Sequence, residues 1–396
     1  MNQFFLKGLV HLSYFMQDKK DRIRFSPSLC LTHACNLNCI YCYQNHEDNA
    51  RMSFDTAKQS IDWIFSNIPS GMDDVEIGFI GGEPLLEFDL IKEIVAYACS
   101  KNKNEKFIFY ATTNGTILTD EMKLWFIKRK KCFWLGLSID GTKETHDHNR
   151  CNSFGNIDFN FFLQNWPEQG IKMTLSEFSL SRLANDIKFI HSLGFQEIGG
   201  VNLSEGSFNW NQDEYIKLLV PQLKELVSFY VENDTLRLNQ MFDKRINYCE
   251  AKNRERKKWC GIGNGTNFFD IDGKMYPCPF VTPMTFSQNE IENILETDFS
   301  DDNNFIDEDC FQNCYIYPIC PTCVGANYLN TNTFKQRDKR RCRIQKLIAL
   351  FIADLQSKRI YKNPKIYDEE TLYYTIEAIK KIRFHYLDEF NEFLMS

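Results

Sequence analysis

Three cysteines lie within eight residues near the start of the chain, in the segment LTHACNLNCIYCYQ at 31–44. They are Cys35, Cys39 and Cys42. Thiolates bind soft and borderline metals, so three of them on one short loop can ligate a single metal centre. Structural zinc sites usually have four protein ligands, a set that His33 or His46 would complete. A [4Fe–4S] cluster held by only three cysteines instead leaves one iron free to bind another molecule.

The chain has fifteen cysteines, of which seven more cluster in the C-terminal half and five are scattered. The second cluster comprises Cys260, Cys278, Cys310, Cys314, Cys320, Cys323 and Cys342. The scattered cysteines are Cys30, Cys99, Cys132, Cys151 and Cys249. No secretion signal indicates an oxidising compartment, so the clustered cysteines favour metal binding over disulfides. The scattered ones are interpreted as small buried hydrophobic residues.

Composition places the chain among folded proteins. Its 396 residues suit one large catalytic domain plus a smaller one, and 43% apolar with 25% charged residues argues against disorder. A net charge of −7 gives no reason to expect nucleic acid or an anionic membrane as a partner. The apolar stretch in residues 1–20 is too short and too interrupted to span a membrane, and no cleavage site follows it. We therefore expect a cytoplasmic protein.

Strand-like and helical segments alternate through the first 233 residues. Strands are predicted at 28–33, 75–80, 106–113, 133–139, 171–177 and 197–203. Helices are predicted at 54–68, 85–99, 119–129, 182–193 and 213–233, with Thr119 capping the third and Pro221 breaking the last. This order predicts an α/β fold with a parallel sheet. Six units fall short of the eight in a complete barrel, so we expect a partial (β/α)6 TIM barrel with an open side.

The sequence pattern changes near residue 252, where a cysteine-rich and loop-rich region begins. Within it, the segment 267–278 predicts a hairpin with Asp272-Gly273 at the turn. A packing helix without chemical signal is predicted at 371–390. We therefore divide the chain into an N-terminal extension (1–25), a barrel (26–235), a linker with the cysteine-rich domain (236–345) and C-terminal helices (346–396).

The first cysteine loop resembles the signature of the radical S-adenosylmethionine (SAM) superfamily. The spacing Cys35-x3-Cys39-x2-Cys42, with Tyr41 before the last cysteine, stands after the first strand as it does in that family. The resemblance implies a [4Fe–4S] cluster whose free iron chelates the amino and carboxylate groups of SAM. Under this interpretation His33 is a bystander, and so is His46.

Further motifs follow successive strands in the order found in this family. GGEP at 81–84 resembles the motif that binds the SAM amino group, since glycines let backbone carbonyls approach an ammonium closely. TNGT at 113–116 and the S-x-D-G run at 138–141, followed by His146-Asp147 and Arg150, resemble motifs of the same site. Singly, each is also compatible with turn or capping chemistry. The residues expected at the SAM site are Tyr41, Gly81, Gly82, Glu83, Pro84, Asn114, Ser138 and Arg150.

The seven later cysteines resemble the SPASM domain, an extension of peptide-modifying radical SAM enzymes that carries two auxiliary [4Fe–4S] clusters. Their middle run is C-x3-C-x5-C-x2-C, which exchanges the outer gaps of the usual C-x2-C-x5-C-x3-C. Assignment by order gives the first auxiliary cluster Cys260, Cys278 and Cys323. It gives the second Cys310, Cys314, Cys320 and Cys342. The fourth position of the first cluster is either open or filled by another group, for which Cys249 is a loosely spaced candidate.

The resemblances imply an enzyme that reductively cleaves SAM to a 5′-deoxyadenosyl radical, which abstracts hydrogen from a ribosomally made peptide. Two outcomes compete: a thioether or carbon–carbon crosslink, and the formylglycine made by anaerobic sulfatase-maturating enzymes. In the latter family an aspartate base follows the cysteine equivalent to Cys278, whereas this chain has Pro279. We therefore favour the crosslink, with Asp270 or Asp272 as substitute bases for the alternative. A zinc-stapled scaffold or an electron-transfer module is the non-enzymatic hypothesis.

Cofactors and partners follow from the same resemblance. We expect three [4Fe–4S] clusters, SAM, a precursor peptide and a flavodoxin- or ferredoxin-like electron donor. About 30 residues precede the cysteine loop, too few for the winged-helix domain that grips the leader peptide in many such maturases. A separate leader-binding protein, or the barrel and SPASM surfaces, would then recognise the leader, if it is recognised at all. Neither nucleic acid nor a membrane is an expected partner.

Overall fold

The computed structural model describes residues 24–44, 49–71, 74–101, 107–204, 208–250 and 255–395. Nearly all of the N-terminal extension expected at 1–25 lies outside these residues, and so does His46. Among the described helices, none is long and apolar enough to cross a membrane.

A parallel sheet forms the centre of the fold. Its first strands are β1 (Arg24–Phe25), β2 (Ser28–Thr32), β3 (Asp74–Gly81), β4 (Phe107–Thr113) and β5 (Phe133–Leu137). Strands β2 to β5 lie side by side in chain order, and β1 also pairs with β3. A bridge from Ser138 to Lys172 continues the order to β6 (Lys172–Leu175), which pairs in parallel with β7 (Gly200–Leu203). The six parallel strands β2 to β7, in this order, confirm the predicted partial barrel.

In the described part of the barrel, seven α-helices accompany these strands. They are α1 (Phe54–Ser66), α2 (Phe88–Lys101), α3 (Asp120–Arg129), α4 (Lys143–Asn149), α5 (Phe159–Asn165), α6 (Leu183–Ser192) and α7 (Asp213–Glu232). Thr119 caps α3 as predicted, because its side chain accepts a hydrogen bond from the Met122 backbone N–H. The expected break at Pro221 is wrong, since α7 continues through it. Buried residues on both sides of the proline, such as Leu219 and Leu223, hold the helix against the core despite the missing N–H.

Aromatic rings join the sheet to its helices. Phe79, Phe109 and Phe133 are fully buried on three neighbouring strands, with ring centroids 5.8–6.3 Å apart. On the same face, Trp125 and Phe126 of α3 pack edge-on against Phe133. Side chains alternate between the two faces of a strand, so the strand residues next to each phenylalanine point into the barrel. The aromatic layer therefore fixes which side chains face the interior.

The cysteine-rich region covers the open edge of the barrel. Its first strand, β8 (Phe268–Phe269), pairs in parallel with β2, and β9 (Met275–Tyr276) returns antiparallel to β8. The predicted hairpin is therefore present, and its turn residue Gly273 has the positive φ of +80° that a glycine tolerates. Three short helices follow: α8 (Gln288–Leu295), α9 (Glu308–Asn313) and α10 (Val324–Thr331).

Two long helices end the described chain, α11 (Cys342–Lys362) and α12 (Glu369–Met395). Helix α11 packs against both α7 and α12, so the C-terminal helices belong to the main core. The predicted helix at 371–390 is part of α12. Because α11 begins at Cys342, it starts inside the range predicted for the cysteine-rich domain.

Candidate metal and cofactor sites

The first cysteine loop follows the C-terminal end of β2, which is the edge of a (β/α) barrel where ligands bind. Its three thiols lie close enough to influence one another. Burial raises the pKa of Cys39 to about 12, Arg150 opposes this, and Cys42 and Cys35 add to the rise. Binding iron as a thiolate must therefore displace the Cys39 proton.

Asp140 organises the wall beside this loop. It is fully buried and accepts hydrogen bonds from Arg150 Nε at 3.0 Å and Arg150 Nη2 at 3.2 Å. The Tyr41 hydroxyl and the Thr174 backbone N–H also donate to its carboxylate. Burial works against the charge of Arg150, but Asp140 and then Tyr41 and Cys39 keep its pKa above its usual range. A permanent cation is thus held beside the cysteine thiols.

The GGEP segment packs against the cysteine loop. Gly82 N–H donates to Thr32 O at 3.0 Å, and Glu83 N–H donates to Ala34 O at 3.0 Å. A Cβ on Gly82 would lie 2.3 Å from Ala34 O, and one on Gly81 would lie 2.4 Å from Thr32 O. No larger residue fits at either position, so both glycines are required by the close approach of the two backbones.

Glu83 braces the floor of the site. It is buried, and its carboxylate accepts hydrogen bonds from the Leu85 backbone N–H, the Thr113 hydroxyl and the Asn114 backbone N–H. Burial raises the pKa of Glu83 to about 6, against these three donors. The side chain therefore joins the ends of β3 and β4. Pro84, the next residue, is buried at the start of a short 3-10 helix, Pro84–Glu87.

The TNGT segment also touches the cysteine loop. Asn114 Nδ2 donates to Asn36 Oδ1 at 2.8 Å, and Asn36 Nδ2 donates to Thr116 Oγ1 at 2.8 Å. Gly115 has a φ of +77°, and a Cβ there would lie 2.6 Å from Leu137. The motif residues after β3 and β4 thus meet the same loop.

Lys172 was missed by the sequence analysis. It begins β6 beside Ser138, which is buried just after β5. Lys172 reaches solvent, but neighbouring atoms partly desolvate its ammonium, and this desolvation, followed by Arg150, lowers its pKa while Cys42 raises it, so the ammonium lies near both. The sequence did contain one signal that could have identified it, a lysine at the start of an otherwise apolar barrel strand.

The comparisons with known proteins agree with this geometry. The sequence pattern of the radical SAM superfamily matches residues 29–165 of the chain. An uncharacterised protein of Methanocaldococcus jannaschii is 30% identical over 263 residues, covering 63% of this chain and 83% of the relative. The chain belongs to the radical SAM superfamily. The predicted identity as a radical SAM enzyme is confirmed, and with it a [4Fe–4S] cluster and SAM as cofactors.

Two further relatives have names that state a reaction. A cysteine-type anaerobic sulfatase-maturating enzyme of Clostridium novyi is 24% identical, covering 74% of this chain and 85% of the relative. The radical SAM cyclopropyl synthase TigE of Paramaledivibacter caminithermalis is 21% identical, covering 88% and 81%. A solved structure of anSMEcpe with bound AdoMet superposes with a TM-score of 0.66 at 17% identity, covering 89% of this chain and 98% of that one, which shows a shared fold.

The radical SAM loop fits its cluster by its donor set, three thiols with the cations of Arg150 and Lys172 beside them. Thiolates are the usual ligands of iron–sulfur clusters, and Arg150 lowers the pKa of each of the three cysteines. Asp140 and Glu83 hold the surrounding strand ends in place. The residues expected at this site are thus brought together, and the contact of each with SAM stays a prediction.

A second set of three cysteines lies next to the radical SAM loop. Cys278 and Cys260 are close enough that Cys260 adds to the burial-driven rise in the pKa of Cys278, to about 11. Tyr43 is partly exposed, but desolvation by neighbouring atoms raises its pKa, followed by Cys278, Cys42 and Cys323, so the Tyr43 hydroxyl lies among thiols of both sets. Its ring stacks on Phe280 at 4.8 Å. An aromatic pair thus stands between the first loop and the second cysteine set.

The third set contains four cysteines around one cavity. They are Cys310, Cys314, Cys320 and Cys342. Burial raises the pKa of Cys320 to about 12, with Arg337 opposing and the other three thiols adding. Arg337 Nε is buried at this cavity without a hydrogen-bond partner in the described part of the chain. Lys339 Nζ lies 2.8 Å from Cys310 Sγ. Four thiols beside two cations, one of which has an unpaired N–H, fit an anionic cluster.

Several scattered cysteines differ from their expected burial. Cys30 and Cys249 are buried as expected, but Cys99 and Cys151 are exposed and Cys132 is half-buried. The Cys151 thiol donates to the backbone carbonyl of Asn38 in the radical SAM loop at 3.0 Å. Cys249 packs in the main core, whereas Cys278 and Cys323 pack against the smaller cysteine-rich core.

Proposed function

We propose that this radical SAM enzyme is a peptide maturase of the SPASM type, which crosslinks a ribosomally made peptide through a thioether or a carbon–carbon bond. The grouping of ten cysteines into sets of three, three and four supports a radical SAM cluster and two auxiliary clusters. When bound, the reduced cluster and SAM supply a 5′-deoxyadenosyl radical that removes a hydrogen atom from the substrate. An auxiliary cluster, when bound, would accept the electron that the substrate gives up as the crosslink forms, and the second hydrogen would leave as a proton.

The chain's own residues supply position and charge in this scheme. Asp140 holds Arg150 beside the three thiols, and Lys172 adds a second cation near Cys42. Two cations at the barrel mouth are suited to the carboxylate of SAM. Glu83 keeps the strand ends together, so that SAM and peptide meet in a fixed geometry.

Pro279 is the observation that carries the choice of crosslink over formylglycine. It follows Cys278 at the position where the resemblance to sulfatase-maturating enzymes requires an aspartate base. The two nearby carboxylates are otherwise engaged. Asp270 is buried and bonded to His33, and Asp272 is on the hairpin turn, paired with Lys274.

The test is mass spectrometry of a peptide encoded beside this chain and co-produced with it under anaerobic conditions. A crosslink removes two hydrogen atoms per bond and adds no aldehyde. The control is the same peptide produced with a Cys35→Ala/Cys39→Ala/Cys42→Ala variant. An unmodified peptide with the intact enzyme, despite SAM cleavage, would count against the proposal.

Formylglycine formation is the second candidate, and the similarity to the Clostridium novyi enzyme favours it. A peptide carrying a sulfatase-type cysteine would then gain an aldehyde that a hydrazide reagent traps. Aldehyde formation that survives Asp270→Asn but is lost on removal of SAM would replace the crosslinking proposal and show that neither Pro279 nor Asp270 decides the reaction.

A further inference from the structure

Three buried side chains of metal-binding type meet outside the cysteine sets. Cys30 lies in β2, His33 follows that strand, and Asp270 follows β8. Because β8 pairs with β2 in parallel, with Leu29 opposite Phe269, the next residues Cys30 and Asp270 are also neighbours. The thiol sulfur, an imidazole nitrogen and a carboxylate oxygen all lie within 4.8 Å of one another.

The environment of this trio is dry. Cys30, His33 and Asp270 are 0%, 8% and 4% exposed. Asp270 Oδ1 accepts a hydrogen bond from the Ile271 backbone N–H and lies 2.9 Å from His33 Nε2. Among the described residues, no lysine or arginine forms an ion pair with Asp270. A buried carboxylate next to a buried thiol favours a positive charge between them.

We propose that Cys30, His33 and Asp270 bind a single zinc ion. Zinc takes thiolate, imidazole and carboxylate ligands in a tetrahedral site, and one residue of each kind is present. The fourth ligand is water or the backbone carbonyl of Thr32, which lies 3.7 Å from Cys30 Sγ. A mixed set with one sulfur differs from the all-cysteine sets that suit iron–sulfur clusters.

The position of the ion gives it a structural task. Strand β2 leads into the radical SAM loop, and the β8–β9 hairpin leads into Cys278 of the second cysteine set. An ion held by residues of both would fasten these two metal-binding loops to each other. This role is separate from SAM cleavage and from the crosslinking reaction proposed above.

The experiment measures zinc in the full-length protein with its iron–sulfur clusters assembled. After dialysis against a weak chelator, we expect about one zinc per chain by mass spectrometry of the elements. Cys30→Ser and Asp270→Asn should each lower zinc to less than about one tenth while the iron content is unchanged. Both substitutions keep side-chain shape, so the protein should remain folded.

X-ray absorption at the zinc edge separates this site from zinc misplaced in a cysteine set. The proposed site predicts one sulfur at about 2.3 Å with nitrogen and oxygen at about 2.0–2.1 Å. Cys132→Ser and Asp186→Asn are matched controls, a half-buried thiol and a buried carboxylate elsewhere in the barrel, and should leave zinc unchanged.

Three results would overturn the proposal. The first is protein that holds no zinc even after growth with added zinc, which would leave the trio as a hydrogen-bond network. The second is zinc surrounded by three or four sulfurs. The third is a zinc content that Cys30→Ser and Asp270→Asn do not change.

Discussion

The radical SAM loop offers three cysteine thiols to a metal cluster, whereas the four-cysteine cavity offers four. The loop draws three thiols from eight consecutive residues at the mouth of the barrel. The cavity draws four thiols from a span of more than thirty residues, from Cys310 in α9 to Cys342 at the start of α11. Metal sites that keep an open position do chemistry, and sites whose positions are all filled serve structure or electron transfer.

The positively charged side chains beside the two cysteine sets also differ. Beside the loop, Arg150 is fixed by a buried partner, Asp140. At the cavity, Lys339 is half exposed and shared among Cys310, Asp307 and Asp309. The proposed open site at the loop thus has a rigid charge at Arg150, whereas the proposed closed site at the cavity has, besides the buried Arg337, an adjustable charge at Lys339. Each prediction below tests one side of this contrast.

The largest effect is expected when the open site is removed. Cys35→Ala/Cys39→Ala/Cys42→Ala should abolish 5′-deoxyadenosine formation, because no iron remains to bind SAM, and should lower iron from about twelve to about eight per chain. Chromatography of the nucleoside and iron analysis give the two readings. Cys99→Ala/Cys132→Ala is the control. SAM cleavage by the triple variant would refute the assignment of the loop.

Removing one ligand of the closed site should separate SAM cleavage from product formation. Cys320→Ala should lower iron by about four per chain while 5′-deoxyadenosine still forms. Modified peptide should be lost, since the electron leaving the substrate can no longer pass on through a cluster in the four-cysteine cavity. Full product with depleted iron would show that the four-cysteine set is dispensable.

Removing the positive charge of Arg150, the rigid cation of the open site, should lower the free energy of unfolding. Arg150→Gln leaves Asp140 as a buried carboxylate without its cation, a loss of about 3 kcal/mol in the free energy of unfolding. Urea denaturation under anaerobic conditions measures it. The double variant Asp140→Asn/Arg150→Gln removes both charges and should recover part of the loss. Equal stability of single and double variants would contradict a charge-based cause.

The buried His146, which lies near Arg150, should make the free energy of unfolding depend on pH in the acid range. Burial, followed by the nearby Arg150, lowers the pKa of His146 to about 4 from 6.5. The neutral ring therefore stabilises the fold fully above about pH 6.5, and this contribution of about 3 kcal/mol is lost as the pH falls towards 4. Unfolding curves for His146→Gln should show a smaller loss over this range than the wild type. His148→Gln, at an exposed position, should behave as the wild type does.

The smallest effect concerns the adjustable cation. Lys339→Met removes a positive charge 2.8 Å from Cys310 Sγ, which should lower the reduction potential of a cluster in the cavity by roughly tens of millivolts. A potentiometric titration followed by electron paramagnetic resonance measures the shift. Lys335→Met, an exposed lysine nearby in sequence, is the control. A shift of equal size in the control would remove Lys339 as the cause.

Local signals in the sequence were sufficient for the barrel and for the grouping of cysteines. The strand order follows from apolar runs whose motifs fall at their ends, and it depends on residues close in sequence. The two later cysteine sets were assigned by their order, from the resemblance to the SPASM domain.

Features that depend on tertiary contacts were not predictable in this way. Asp140 was noted as part of a motif, yet the donors to its carboxylate come from the radical SAM loop, the end of α4 and β6. The pairing of His33 with Asp270 spans 237 positions and exists only because β8 lies beside β2. Pro221 shows the opposite kind of error. The local rule that a proline ends a helix fails here because α7 packs on the core on both sides of it.

The pairing of β8 with β2 has a consequence for handling the protein. A strand at the open side of a barrel offers unpaired backbone groups to any other chain, and such edges promote aggregation. Here part of the β2 edge is covered by Phe268–Phe269 from the cysteine-rich region. A fragment that ends before residue 255 would expose that edge together with Cys30. The barrel and its cysteine-rich cover should therefore be expressed as one piece, and truncation between them is expected to give insoluble protein.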